Sequence, residues 1–61
     1  MEIKTRYYID YVYNNTIGEN FYHTLVRTSD GAILYSNWNL QYVIDYAKNK
    51  LSINGKEITV L

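Results

Sequence analysis

Residues alternate with period two from Ile3 to Tyr13, apolar ones recur at every third or fourth position from Leu40 to Leu51, and alternation returns after Gly55. A period of two keeps one face of a strand apolar, and a period near 3.6 keeps one stripe of a helix apolar. The chain therefore reads as strands, then one helix, then a closing strand.

From Ile3 to Tyr13 the odd positions are Ile3, Thr5, Tyr7, Ile9, Tyr11 and Tyr13, and the even ones Lys4, Arg6, Tyr8, Asp10 and Val12. β-Branched and aromatic side chains suit a pleated, half-buried surface, so this segment predicts a first strand with its odd face inward. Asn14 to Asn20 is rich in turn formers and reads as a loop longer than a tight hairpin needs. Phe21 to Thr28 is the second strand and Ala32 to Ser36 the third, joined through Ser29-Asp30-Gly31, where Asp-Gly suits the positive φ angles of a hairpin turn. Two registers stay open. A two-residue loop sets Val26 opposite Tyr35, and a three-residue loop sets it opposite Leu34. The one-residue difference exchanges the third strand's inward pair between Ile33 with Tyr35 and Ala32 with Leu34.

Leu40, Val43, Ile44, Ala47 and Leu51 form one helical stripe, with Gln41, Asp45, Lys48 and Asn49 opposite, which predicts a helix over 38–51. Asn37 or Asn39 can cap its start, and Lys48 and Lys50 suit its negative end. Asn54-Gly55 signals a turn before a last strand over 56–61. A strand, helix, strand path in one sheet is a right-handed crossover with parallel strands, which places the last strand beside the first. The expected fold is α+β: one βββαβ domain over 1–61, a small mixed sheet with one helix packed on one face.

A chain of 61 residues buries only about 60% of the surface its unfolded form exposes, and without cysteine it has neither disulfides nor thiolate zinc to help. Packing or self-association has to supply the difference. Six basic residues balance six acidic ones, which speaks against binding carried by phosphate neutralisation. No apolar run reaches the roughly 20 residues that span a bilayer, and the start lacks a secretory pattern, so the expectation is a cytoplasmic chain without membrane contact. The abundance of Asn, Ile, Tyr and Lys fits an A/T-rich genome such as that of a phage or other mobile element.

Catalytic chemistry finds little footing. His23 is the one imidazole and lies in a strand, and Ser29, Ser36 and Ser52 lack the glycine-flanked elbow that presents a nucleophile. The carboxylates are scattered without metal-ligand spacing, and the glycines stand at turns rather than in a phosphate-cradling loop. Asn14-Asn15-Thr16 matches a glycosylation pattern that, without a leader, is read as accidental. The expectation is a chain that is not an enzyme, with no catalytic, cofactor or metal site.

Aromatic surface is the unusual feature: eight Tyr, one Trp and one Phe. One helix cannot cover both faces of a four-stranded sheet, so Tyr8 and Val12, together with Tyr22 if its set faces away, are expected on an open face. Trp38, Tyr42 and Tyr46 follow at helical spacing beside the core stripe. Exposed Tyr and Trp carry contact area with few rotors and dominate recognition hot spots. The competing accounts are cross-strand aromatic pairs that only stiffen the sheet, and a helix stripe that only widens the buried face.

Two functions of different class follow. The first is a non-catalytic protein-binding module, a phage or mobile-element accessory or inhibitor protein that docks on a host or self protein and forms a homodimer through the open face or an edge strand. The alternative is single-stranded nucleic-acid binding, with bases stacked on sheet tyrosines and Lys4, Arg6 and Arg27 on phosphate, diluted by Glu2, Asp10 and Glu57. In layout alone, three strands followed by a helix resemble the DNA-binding domains of some integrases and plant transcription factors, without their motifs. A remainder is a small enzyme that pairs His23 with a carboxylate across a dimer.

Overall fold

The computed structural model describes residues 2–14 and 20–61. Its elements are β1 (Tyr7–Asn14), β2 (Asn20–Arg27), β3 (Ile33–Asn37), α1 (Leu40–Asn49), a 3-10 turn over Gly55–Glu57, and β4 (Ile58–Val60). The strands form one mixed sheet in the order β3-β2-β1-β4, with β4 parallel to β1 and the other pairs antiparallel. The expected α+β fold, a small mixed sheet with one helix against it, is the fold observed. Most of the loop expected between the first two strands, with Asn15 and Thr16 of the glycosylation pattern, lies outside the described residues.

Ile9 and Leu25 face each other across β1 and β2 and are buried with Val43 and Ala47 of α1 and with Ile53. Tyr7, Leu34, Tyr35, Leu40, Ile44 and Ile58 close around them. The odd face of β1 is thus the helix side, as alternation predicts. Tyr11 and Tyr13 on that face are nevertheless exposed. A ten-residue helix is about 15 Å long and an eight-residue strand about 27 Å, so α1 leaves the far end of the β1–β2 hairpin uncovered.

Neither expected register joins β2 to β3. Leu25 pairs with Tyr35 and Val26 with Ile33, so an irregularity absorbs Leu34. Leu34 and Tyr35 both pack toward the helix, while Ile33 emerges on the other face at 68% exposure. The turn explains the shift. Arg27 N–H donates to Ala32 O (2.9 Å) and Gly31 N–H to Arg27 O (2.8 Å), closing a longer loop in which Gly31 alone has positive φ, at +72°. Asp30 acts through its side chain: Oδ1 accepts from Ala32 N–H and Arg27 Nε, and Oδ2 accepts from Arg27 Nη2 at 2.7 Å.

The Arg27 hydrogen bond, followed by that from Ala32 N–H, lowers the Asp30 carboxyl to about 2. A carboxylate lowered on folding stabilises the fold above its unfolded value near 3.8, and that contribution disappears as pH falls toward 2. The melting temperature of wild type should therefore exceed that of Asp30→Asn by a constant margin above pH 4 and converge with it between pH 4 and pH 2. A margin unchanged across that window would mean the charge contributes nothing.

The expected helix over 38–51 is shorter at both ends. Asn39 Oδ1 accepts from Gln41 N–H (2.9 Å) and Asn37 Oδ1 from Asn39 N–H (2.8 Å), so this pair of asparagines starts α1 at Leu40 and leaves Trp38 outside it. After Asn49 the chain reverses at Ser52, whose φ of +55° is left-handed, and Ile53 N–H reaches Ala47 O (2.9 Å). Ile53 enters the core where Leu51 was expected, and Leu51 is 39% exposed. A left-handed residue with a Cβ is strained, so Ser52→Gly should raise unfolding free energy by about 1 kcal/mol in urea titration. The turn expected at Asn54-Gly55 is a 3-10 turn: Asn54 Oδ1 accepts from Lys56 N–H and caps it, which shortens the expected last strand to Ile58–Val60. Among the described residues no helix is long and apolar enough to cross a membrane.

Candidate functional site

The register of β1 on β2 places three pairs on the face turned away from α1: Tyr8 with Val26, Asp10 with Thr24, and Val12 with Tyr22. β3 adds Ile33 beside Val26 and Ser36 beside Thr24. All of these but Tyr22, with Gly31, shape a depression of about 240 Å³ whose floor, Thr24 and Val26, is only 7% exposed although no helix covers it. Tyr8, Val12 and Ile33 form apolar walls, and Ser36 Oγ donates to Thr24 Oγ1 (3.3 Å) on the floor. Asp10 is the one charge in the lining, and its Oδ1 accepts from Tyr11 N–H (2.9 Å).

Ser36 also borders a second depression of about 190 Å³, shared with Tyr22, Asn37 and Trp38. The open face thus runs on to Trp38, which is 69% exposed. Four of the six residues expected to bind a partner, Tyr8, Val12, Tyr22 and Trp38, belong to this one surface.

Tyr42 and Tyr46 do not. The expected helical stripe of Trp38, Tyr42 and Tyr46 is broken because the asparagine cap puts Trp38 ahead of the helix, where it keeps company with Tyr22. Tyr46 stacks flat on Tyr35, with ring centres 4.1 Å apart and planes 5° from parallel, so it widens the buried face between helix and sheet. Tyr35 is held in turn by Asn37 Nδ2, which donates to its hydroxyl (3.2 Å). Tyr42 stands beside this pair at 57% exposure.

A further aromatic cluster lies on the helix side of the uncovered hairpin end. Tyr11 stacks on Phe21 (5.2 Å) and lies against His23 (4.5 Å), and Tyr13 meets Phe21 edge-on (5.3 Å). Assigning the whole odd face of β1 to the core hid this cluster; strand length against helix length was the signal that could have found it. His23 is a ring packed among rings, and among the described residues no carboxylate forms an ion pair with it. Nor do three His, Cys, Asp or Glu side chains come together there as a metal site requires.

Two of the basic residues expected on phosphate, Arg27 and Arg6, lie beside acidic groups. Arg27 pairs with Tyr7 on the helix side of the sheet and is held by Asp30, and Arg6 lies 3.8 Å from Glu57. Both arginines border a separate depression with Tyr7 and Ser29. No protein-family model matches the chain, and no curated protein or solved structure matches it.

Proposed function

We propose that this chain is a non-catalytic docking module whose open sheet face, Tyr8, Val12, Tyr22 and Trp38, receives a protein partner in the cytoplasm. The reading rests on one observation: two adjoining depressions that share Ser36, walled by Tyr8, Val12, Ile33, Tyr22 and Trp38, with one charge between them and uncovered by any described element. Such a surface supplies the buried centre and aromatic anchors that protein interfaces use. The role that suits a domain of this size is an accessory or inhibitor protein of a phage or mobile element, which acts by occupying a larger protein. Self-association belongs to the same reading, because a core this small gains from further burial.

Arg27 lies on the helix side of the sheet and is held by Asp30, which takes one of the expected phosphate contacts away from base stacking on Tyr8 and Tyr22. The deciding experiment is a tagged pull-down from host lysate, with and without nuclease, using wild type and the Tyr22→Ala, Trp38→Ala double variant. A specific protein retained after nuclease and lost with the double variant supports docking. Nucleic acid recovered only without nuclease, and released steeply by salt, would replace docking by single-strand binding.

A further inference from the structure

We infer that the chain forms a reversible two-fold dimer in which β3 pairs antiparallel with β3 of a second copy. This deepens the self-association reading above and rests on it, while adding the surface that carries it. Both outer strands of the sheet are edges, and they differ. β4 has three residues and follows Lys56 and Glu57. β3 has five, Ile33-Leu34-Tyr35-Ser36-Asn37, with no charge and no proline. Natural edges are guarded by shortness, charge or proline, because a bare edge offers unpaired N–H and C=O groups to another strand. The irregularity at Leu34 disturbs only one end, and Tyr35 to Asn37 pair regularly with β2.

The helix flank above β3 fits the same two-fold. α1 packs on β3 and β2, and Tyr42, Asp45, Tyr46, Asn49 and Lys50 gather around Tyr35. A two-fold axis perpendicular to the sheet between two β3 strands keeps both helices on one side. Strand spacing then sets two helices astride β2 and β3 about 10 Å apart, within packing distance. The helices run antiparallel about an axis near Tyr46, so the two Tyr46 rings face each other and Tyr42 of one helix lies opposite Lys50 of the other. An axis near Tyr35 passes near Tyr46, which stacks on it. Asp45 on one helix then lies within reach of Lys50 on the other, and the symmetric pair forms as well. Charge complementarity selects a second copy as the occupant: the flank offers one acid and one base placed to exchange partners across the two-fold. Five edge residues and two helical turns make a contact at the small end of specific interfaces, so the dimer dissociates on dilution.

Sedimentation velocity over a concentration series, with wild type, Asp45→Lys, Lys50→Asp and the double variant, tests the inference. Both side chains are exposed, so circular dichroism should show all variants folded. Each single reversal places like charges at both symmetric contacts and should weaken the dimer about tenfold. The double variant restores the complement and should return to within about twofold of wild type. An equimolar mixture of the two single variants should associate better than either alone, because each then carries what the other lacks. Amide exchange should slow at Tyr35 to Asn37 as concentration rises. A chain monomeric at every concentration would overturn this inference together with the self-association reading. A dimer indifferent to the reversals, with protection at Tyr8 to Val12 instead, would overturn the β3 interface and leave self-association standing through the open face.

Discussion

Leu25→Ala should unfold much of the population at room temperature. Leu25 is fully buried at the centre of the sheet, paired with Ile9 on one side and Tyr35 on the other, with Val43 and Ala47 above it. Truncating a buried leucine costs about 2–5 kcal/mol, with the larger values where surrounding groups cannot collapse into the cavity. Two paired strands and a helix fix the groups around Leu25, so about 4 kcal/mol is expected. A domain of this length holds only about 3–9 kcal/mol in total. Urea titration followed by far-ultraviolet circular dichroism should find the midpoint moved to low denaturant or the transition lost. Leu51→Ala, which sequence periodicity ranks with Leu25 as core, should cost under about 1 kcal/mol because the side chain is already partly in water. Equal effects at the two positions would refute the burial described.

The contrast between Leu25 and Leu51 marks where the sequence was legible. Strand and helix type came through where pattern and turn signals agree: alternation in β1, the run of β2 ahead of Asp30-Gly31, the stripe of Leu40, Val43, Ile44 and Ala47, and the parallel return of β4 that crossover handedness requires. A side-chain bond to the backbone came through at the helix cap, expected at Asn37 or Asn39 and found at Asn39, but its consequences for register and helix length did not. Asp30 satisfies Ala32 N–H and Arg27 together and turns an expected tight hairpin into a longer loop, which moves the β3 register. Asn37 and Asn39 take the first free N–H groups and start the helix two residues later than periodicity suggests. Ser52 adopts a left-handed conformation that periodicity cannot foresee, and it exchanges Leu51 for Ile53 in the core. Each is a hydrogen bond or a single φ angle that hydrophobic patterning does not encode.

The same asparagine pair decides which aromatics act together, and this gives the second large expected effect. Tyr22→Ala and Trp38→Ala should each weaken binding of the captured partner about 30-fold, roughly 2 kcal/mol, with little change in melting temperature. Trp38 is largely exposed, so its removal takes little from the core, while Tyr22 lines the second open-face depression with Trp38 and pairs with Val12 of the first. Tyr46→Ala should do the reverse. It removes the ring stacked on Tyr35 and should lower stability by about 3 kcal/mol, leaving affinity of the folded fraction unchanged. Tyr42→Ala should alter neither the captured partner's affinity nor the stability of the monomer by more than about 0.5 kcal/mol, because its ring is exposed on the opposite side of the sheet. Titration calorimetry on Tyr22→Ala, Trp38→Ala and Tyr42→Ala separates the possibilities. If Tyr42→Ala costs as much affinity as Trp38→Ala, the partner grips the helix rather than the sheet, and the open face is not the docking surface.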